Sequence, residues 1–194
     1  MNGVIGEVLA SNTSMLKAQV PVDATAPAFG AWVKVEQEGK TIYAVVSMVE
    51  QGSVMPSRQP TALGKTPEEL MREMPQVLEL LRTSFTAVII AHKDADGTMR
   101  QSLPPNPAAM HGFVKPCGQD EIKAIGPPFD FLRTLVNSAD TAVSTDDVLI
   151  AVLQQIRVAH EDEGYAILVE AGRTLSRLLR DDHERLQAIL RRAK

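Results

Sequence analysis

The sequence predicts an α+β protein, with strand-rich segments gathered in the first half and helices in the second. Three observations carry this. Short β-branched and aromatic runs fill residues 3–55, a helical stripe with its own cap interrupts the strands near residue 66, and long helical periodicities dominate beyond residue 118. At 194 residues and 21.1 kDa the chain can bury a substantial core, and 44% hydrophobic with 23% charged residues is the composition of a folded protein rather than a disordered one.

In the first segment Val4, Ile5, Val8 and Leu9, then Trp32, Val33 and Val35, then Ile42, Tyr43, Val45, Val46, Met48 and Val49 form the runs. Pro21, Pro27 and Gly30 break the chain between the first two, so residues 24–30 read as a loop. Glu36-Gln37-Glu38-Gly39-Lys40 is polar, contains Gly, and reads as a hairpin loop. Thr66-Pro67-Glu68-Glu69 then combines a capping Thr, a Pro at the first helical position and an acid three residues after the cap. Leu70, Met74, Val77, Leu78 and Leu81 continue a helical stripe, and Pro75, lacking an N–H, should kink or split it near Arg72. This insertion is expected over about residues 66–82.

Residues 85–92 return to a strand, and Asp94-Ala95-Asp96-Gly97 is a turn feeding a second strand at 98–102. Leu103-Pro104-Pro105-Asn106-Pro107 must be extended, because each Pro fixes its φ and biases its predecessor away from helix. Gly112 to Pro116 reads as a last short strand. Helices follow at 119–125 and 129–136, and Ser144-Thr145-Asp146-Asp147 is a dense N-cap signal for a longer one that Gly164 is expected to end. From Tyr165 onward Leu168, Ala171, Leu175, Leu178, Leu179, Leu186, Ile189 and Leu190 fall on one side of a helix. Arg173, Arg177, Arg180, Glu184 and Arg191 fall on the other. Asp182 interrupts the apolar stripe, which favours a break and a new cap at Asp181-Asp182.

The strand region resembles a HAS-barrel, the six-stranded antiparallel barrel at the N-terminus of HerA-type DNA-translocating ATPases, related to the N-terminal barrel of the ATP synthase α and β subunits. Gly3-Val4-Ile5-Gly6-Glu7-Val8 resembles the family's first strand, and Phe29-Gly30-Ala31-Trp32-Val33-Lys34-Val35 its Gly-x-Tyr-Val-x-Val strand. Tyr43-Ala44-Val45-Val46-Ser47-Met48-Val49 resembles the next strand, and residues 103–107 with Gly112-Phe113-Val114 resemble the Pro-rich closing strand. The likeness covers residues 1–117, about three fifths of the chain, and residues 56–82 are an insertion in its pattern. It implies a small antiparallel barrel at residues 1–117, followed by a helical region at 118–194. It also implies a non-catalytic assembly role, because in the family such barrels form a collar, hold subunits together and dock partners. No ATP hydrolysis is implied.

The chemistry-bearing residues support no named reaction. Gly64-Lys65-Thr66 fails as a P-loop because Gln59 stands where the leading Gly belongs, and Thr66 is better used as a cap. Asp94, Asp96 and Gly97 open like a calcium loop, but Leu103 occupies the position of the bidentate acid. His92, His111, His160 and His183 lie outside metal-ligand spacings, so no metal or other cofactor is expected. Cys117 with His111 could pair as nucleophile and base, yet Pro116 intervenes and no orienting third group is apparent, so a packed thiol is the better reading.

Function is therefore expected to lie in self-association or in docking a protein partner such as a ring ATPase. The residues expected to carry it are Arg173, Arg177, Arg180 and Arg191 on one helix face and Leu175, Leu178, Leu179 and Leu186 on the other, with Trp32, Phe29 and Tyr43 in the core. Two alternatives stand beside this. A nucleic-acid accessory role would use the Arg face, since residues 173–194 hold seven basic and three acidic residues, although a net charge of −4 and only 4% aromatics argue against it. A small enzyme would use a site at the barrel mouth near His92, Asp94 and Asp96. The N-terminus lacks a charged and apolar leader and the longest apolar run, residues 87–91, is strand-sized, so a cytoplasmic address without membrane insertion is expected.

Overall fold

The computed structural model describes residues 3–22, 24–53, 61–138 and 144–194, without the side chains of 78 and 79. The strands are β1 (Gly6–Ser11), β2 (Met15–Gln19), β3 (Trp32–Gln37), β4 (Lys40–Ser53), β5 (Leu81–Lys93), β6 (Met99–Arg100) and β7 (Phe113–Pro116). Six of them close an antiparallel barrel in the order β2-β1-β7-β3-β4-β5, with β5 returning to β2 and β6 added on β5. Closure removes exposed edges, which is what lets strands this short stand without a second sheet.

Alternation sorts each strand into an inner and an outer face. Val8, Leu16, Val33, Val35, Ile42, Phe85, Ile89 and Val114 fill the barrel interior. Bulges at Val8/Ala10 in β1 and at Tyr43/Ala44 and Val46/Met48 along β4 add the twist that wraps two long strands around a narrow core. The β3–β4 hairpin is tighter than the sequence implies. Gln37 pairs with Lys40, and only Glu38 and Gly39 turn the chain, both at positive φ (48° and 75°).

The helices are α1 (Pro67–Glu73), α2 (Pro75–Glu79), α3 (Gln119–Ala124), α4 (Phe131–Val136), α5 (Thr145–Ala159), α6 (Gly164–Leu178) and α7 (His183–Ala193). The predicted capping box at Thr66 forms in full, since Thr66 N donates to Glu69 Oε2 (2.8 Å) and Glu69 N to Thr66 Oγ1 (3.2 Å). Pro75 opens α2 and splits the insertion at Met74. The break at Asp182 is equally local: its carboxylate accepts from Arg185 N and caps α7. The β region ends at Ser53, and residues 54 and 55 lie outside the described residues.

Helices α3 to α7 cover one wall of the barrel. Trp32, Tyr43, Val45, Val88 and Ile90 point outward from β3, β4 and β5 and share one core with Phe129, Phe131, Leu132, Leu149, Leu153 and Leu175. The Trp32 and Phe131 rings meet edge to face at 5.6 Å. α5 is the hub, touching α3, α4, α6, α7 and β4. Two pairs pin α7 to its first turn, Arg185 to Asp146 (2.7 Å) and Arg192 to Asp147. Carboxylates there also suit the positive end of the α5 dipole.

Several expectations need correction. Gly164 opens α6 instead of ending α5. The reversal is made by Glu161 at φ 47°, and Gly164 is needed for space because a Cβ would lie 2.3 Å from Arg157 O. Phe29 is 39% exposed rather than in the core, because the turn it shares with Gly30 carries its ring onto the surface beside Ile150 and Ala151. Leu81 begins β5, four residues before the expected strand start. β2 lies within the region expected to be β, though no strand run marked it in the sequence.

Candidate interaction surface

The C-terminal face is built by α6 and α7. Leu175 (0% exposed), Leu179 and Leu186 are buried within the chain, and Leu178 is half-buried. Their apolar surface packs α6 and α7 onto α5. On the other side Arg173, Arg177, Arg180 and Arg191 are all exposed. Arg180 bonds its neighbour Asp181 at 3.2 Å with both side chains in water, a pair of little energetic weight. For Arg173, Arg177 and Arg191 no carboxylate partner stands among the described residues, in contrast to Arg185 and Arg192.

Between the two helices runs a groove of about 330 Å³ floored by Leu168, Gly172, Leu186 and Leu190 and rimmed by Arg173 and Lys194. Tyr165, 71% exposed, and Val169 stand on it. An aromatic ring and a branched aliphatic side chain held in water on a helix whose other face is buried are the usual material of an interface. Helical periodicity exposes this face in the sequence; the groove itself depends on α7 folding back, which only the break at Asp182 permits.

A second uncovered element is the insertion. β4 and β5 continue as a two-stranded ribbon, pairing through Ser53 and Leu81, and the ribbon leads to α1 and α2. α1 packs on α2 and α2 on the start of β5, and no described residue of either helix is buried. Leu63, Met71, Leu80 and Leu81 are exposed along this arm.

At one mouth of the barrel lies a cavity of about 510 Å³ lined by Ser11, Lys40, Ile42, His92, Pro107 and Met110. Three of its polar side chains, Ser11, Gln37 and His92, are used in holding the segment around the Pro-rich loop. Ser11 Oγ donates to Ala108 O (2.6 Å), and Gln37 donates to Pro107 O (3.1 Å) while accepting from Ala109 N (2.6 Å). His92 is buried with Nδ1 3.0 Å from Ser102 O. Asp94 pairs with Arg100 at 2.6 Å and Asp96 accepts from Thr98 N, so both carboxylates serve the β5–β6 hairpin and neither lines the cavity.

The remaining groups are placed as packing and charge pairing dictate. His111 bonds Glu7 (2.6 Å) on the outside of the barrel. Burial, and the charge of Glu121 beside it, push the Cys117 thiol up to about 12, so at neutral pH it is no thiolate nucleophile. Lys34 is clamped by Glu121 (2.7 Å) and Glu36 (3.1 Å), and Glu36 also takes Lys115 (2.7 Å), which ties β3, β7 and α3 together. Among the described residues no cluster of three or more His, Cys, Asp or Glu could share a metal ion, and no helix is long and apolar enough to cross a membrane. No protein-family model matches the chain, and no curated protein is significantly similar to it.

Proposed function

We propose that this chain is a non-catalytic assembly module, a HAS-type barrel that associates with itself and presents its insertion to a protein partner in the cytoplasm, a ring ATPase being the partner class the barrel resemblance favours. The observation that carries the proposal is the arm. Helices of five to seven residues have too few internal bonds to persist in water alone, and α1 and α2 bury no described residue against the rest of the chain. A ribbon that nevertheless carries a complete capping box and exposed Leu63, Met71 and Leu80 is a surface shaped for something outside the chain. The use of Ser11, Gln37, Asp94 and Asp96 as loop and turn fasteners supports the absence of catalysis at the barrel mouth.

The test is the absolute mass of the intact chain by light scattering across a ~100-fold dilution, wide enough to move a weak association. A mass above that of one chain, falling toward it on dilution, is expected. A single-chain mass throughout overturns self-association and leaves only docking of a different protein.

A further inference from the structure

We infer that the exposed face of α6 is a self-complementary dimer surface whose occupant is the same face of a second copy, lying antiparallel; this rests on the self-association proposed above. The face carries both signs of charge at opposite ends. Immediately before α6 the 3₁₀ turn Glu161–Glu163 places three exposed acids, and its last turns carry Arg173 and Arg177, with Arg180 just beyond. Between the ends Tyr165, Val169, Arg173 and Ser176 recur at the three- and four-residue spacing of one exposed helix face.

An antiparallel copy related by a two-fold axis at Val169 sets residue i against residue 338 − i, by arithmetic on the sequence numbers. Val169 then meets Val169. Tyr165 faces the second copy's Arg173, whose guanidinium can stack on the exposed ring. The acids of the 161–163 turn, which precede α6, then lie at the end where the second copy carries Arg177 and Arg180. Every charged contact occurs twice, as an isologous interface requires. Opposed helix directions also place the acid-bearing N-terminus of one copy against the base-bearing C-terminus of the other.

Other occupants fit half of this surface. A nucleic acid would satisfy Arg173 and Arg177 but would lay phosphates across Glu161, Asp162 and Glu163. An acidic peptide meets the same repulsion. The occupant that suits the face carries acids and bases in the reverse order, which this face supplies when turned around. A fifteen-residue helix is about 22 Å long, so the contact sits at the small end of specific interfaces and is expected to dissociate on dilution and on addition of salt.

The test uses two charge-reversed full-length chains, Glu161→Lys with Asp162→Lys, and Arg173→Glu with Arg177→Glu. All four positions are exposed, and circular dichroism checks that each chain keeps its helices. Sedimentation velocity should give a dimer for the native chain, association at least ~10-fold weaker for each variant alone, and recovery of the dimer when the two are mixed, because their ends are then complementary. Val169→Arg should abolish the dimer in every combination. If the native chain dimerises and the variants do so equally well, the α6 face is not the interface while self-association stands. If the native chain is a monomer at every concentration, both fail. If instead Arg173→Glu with Arg177→Glu abolishes a salt-dependent binding of a 20-base-pair duplex by a monomeric native chain, the face is an anion site and the inference is overturned.

Discussion

Gly30, in the turn before β3, packs directly on Ala151 of α5, and replacing it by Ala tests whether barrel and helices form one cooperative body. Its φ is +78°, and a Cβ there would sit 2.3 Å from the Ala151 Cβ, where carbons in contact prefer about 3.5–4.0 Å. The loop cannot retreat freely, because Gly30 N donates to Val46 O (2.8 Å) and Val46 N to Ala31 O (2.9 Å). Left-handed backbone costs an Ala about 1 kcal/mol and overpacking about 1–3 kcal/mol more, so a loss of about 3 kcal/mol is expected. For a chain of this size that lowers Tm by roughly 6–12 °C. Gly97→Ala is the control for strain alone, since its φ is +89° with nothing within 4 Å, and should cost about 1 kcal/mol. Adding Ala151→Gly to Gly30→Ala removes the clash, and the coupling of that double-mutant cycle should exceed about 1 kcal/mol. Equal losses for Gly30→Ala and Gly97→Ala with an additive cycle would refute the contact.

The half-buried Cys117 thiol, held up to about 12 chiefly by burial, should react with a disulfide reagent at pH 8 far more slowly than in the unfolded chain, and labelling of the native chain as fast as the unfolded one would contradict its placement. Lys34 is raised above its ordinary 10.5, first by its bond to Glu121, and Glu36 is lowered below its ordinary 4.5, first by Lys115 and then by Lys34. The Lys34 contribution is thus complete below 10.5 and lost as pH climbs through its raised value, and the Glu36 contribution is complete above 4.5 and lost as pH falls through its lowered one. Tm should accordingly plateau between those limits, and Lys34→Met should flatten the alkaline fall; an unchanged alkaline slope counts against the clamp. Thr66→Ala removes the α1 cap, a local loss of about 1 kcal/mol, yet α1 buries nothing, so amide exchange in the arm should quicken while global Tm stays within about 1 °C.

The sequence discloses an element when its local chemistry agrees with its final place. Thr66 with Glu69, Pro75 and Asp182 mark helix boundaries through bonds made or forbidden within four residues, so they can be read without knowing the fold. Met15-Leu16-Lys17-Ala18-Gln19 could not be read this way. Each residue favours helix, and the segment is a strand because it closes the barrel between β1 and β5, burying Leu16 and Ala18 on alternate positions. Leu81 fits the α2 stripe and the β5 run equally, and pairing with Ser53 decides it. The charged face of α6 was visible as helical periodicity. The partners of Arg185 and Arg192 were not, since Asp146 and Asp147 lie about forty residues away. The barrel-mouth cavity likewise depends on Ser11, Ile42, His92 and Pro107, brought together only by closure.

Closure also limits how such a chain can associate. With β1, β2, β3, β5 and β7 paired on both sides along the barrel, strand addition has little backbone to use there. β4 beyond Met48 pairs only with β5 among the described strands, but Glu50 on that stretch is committed to Lys17 at 2.9 Å, a charged guard on the ribbon. Association must then proceed through side-chain faces. The wall carrying Trp32 and Tyr43 is covered by the chain's own helices, which leaves the arm and the outer face of α6. These lie on elements separated in sequence by β5 to β7 and α3 to α5 and use different chemistry, apolar on the arm and charge-banded on α6. On the proposed reading, the two faces would let one chain engage a copy of itself and a different protein at once, which a single sticky patch would not provide.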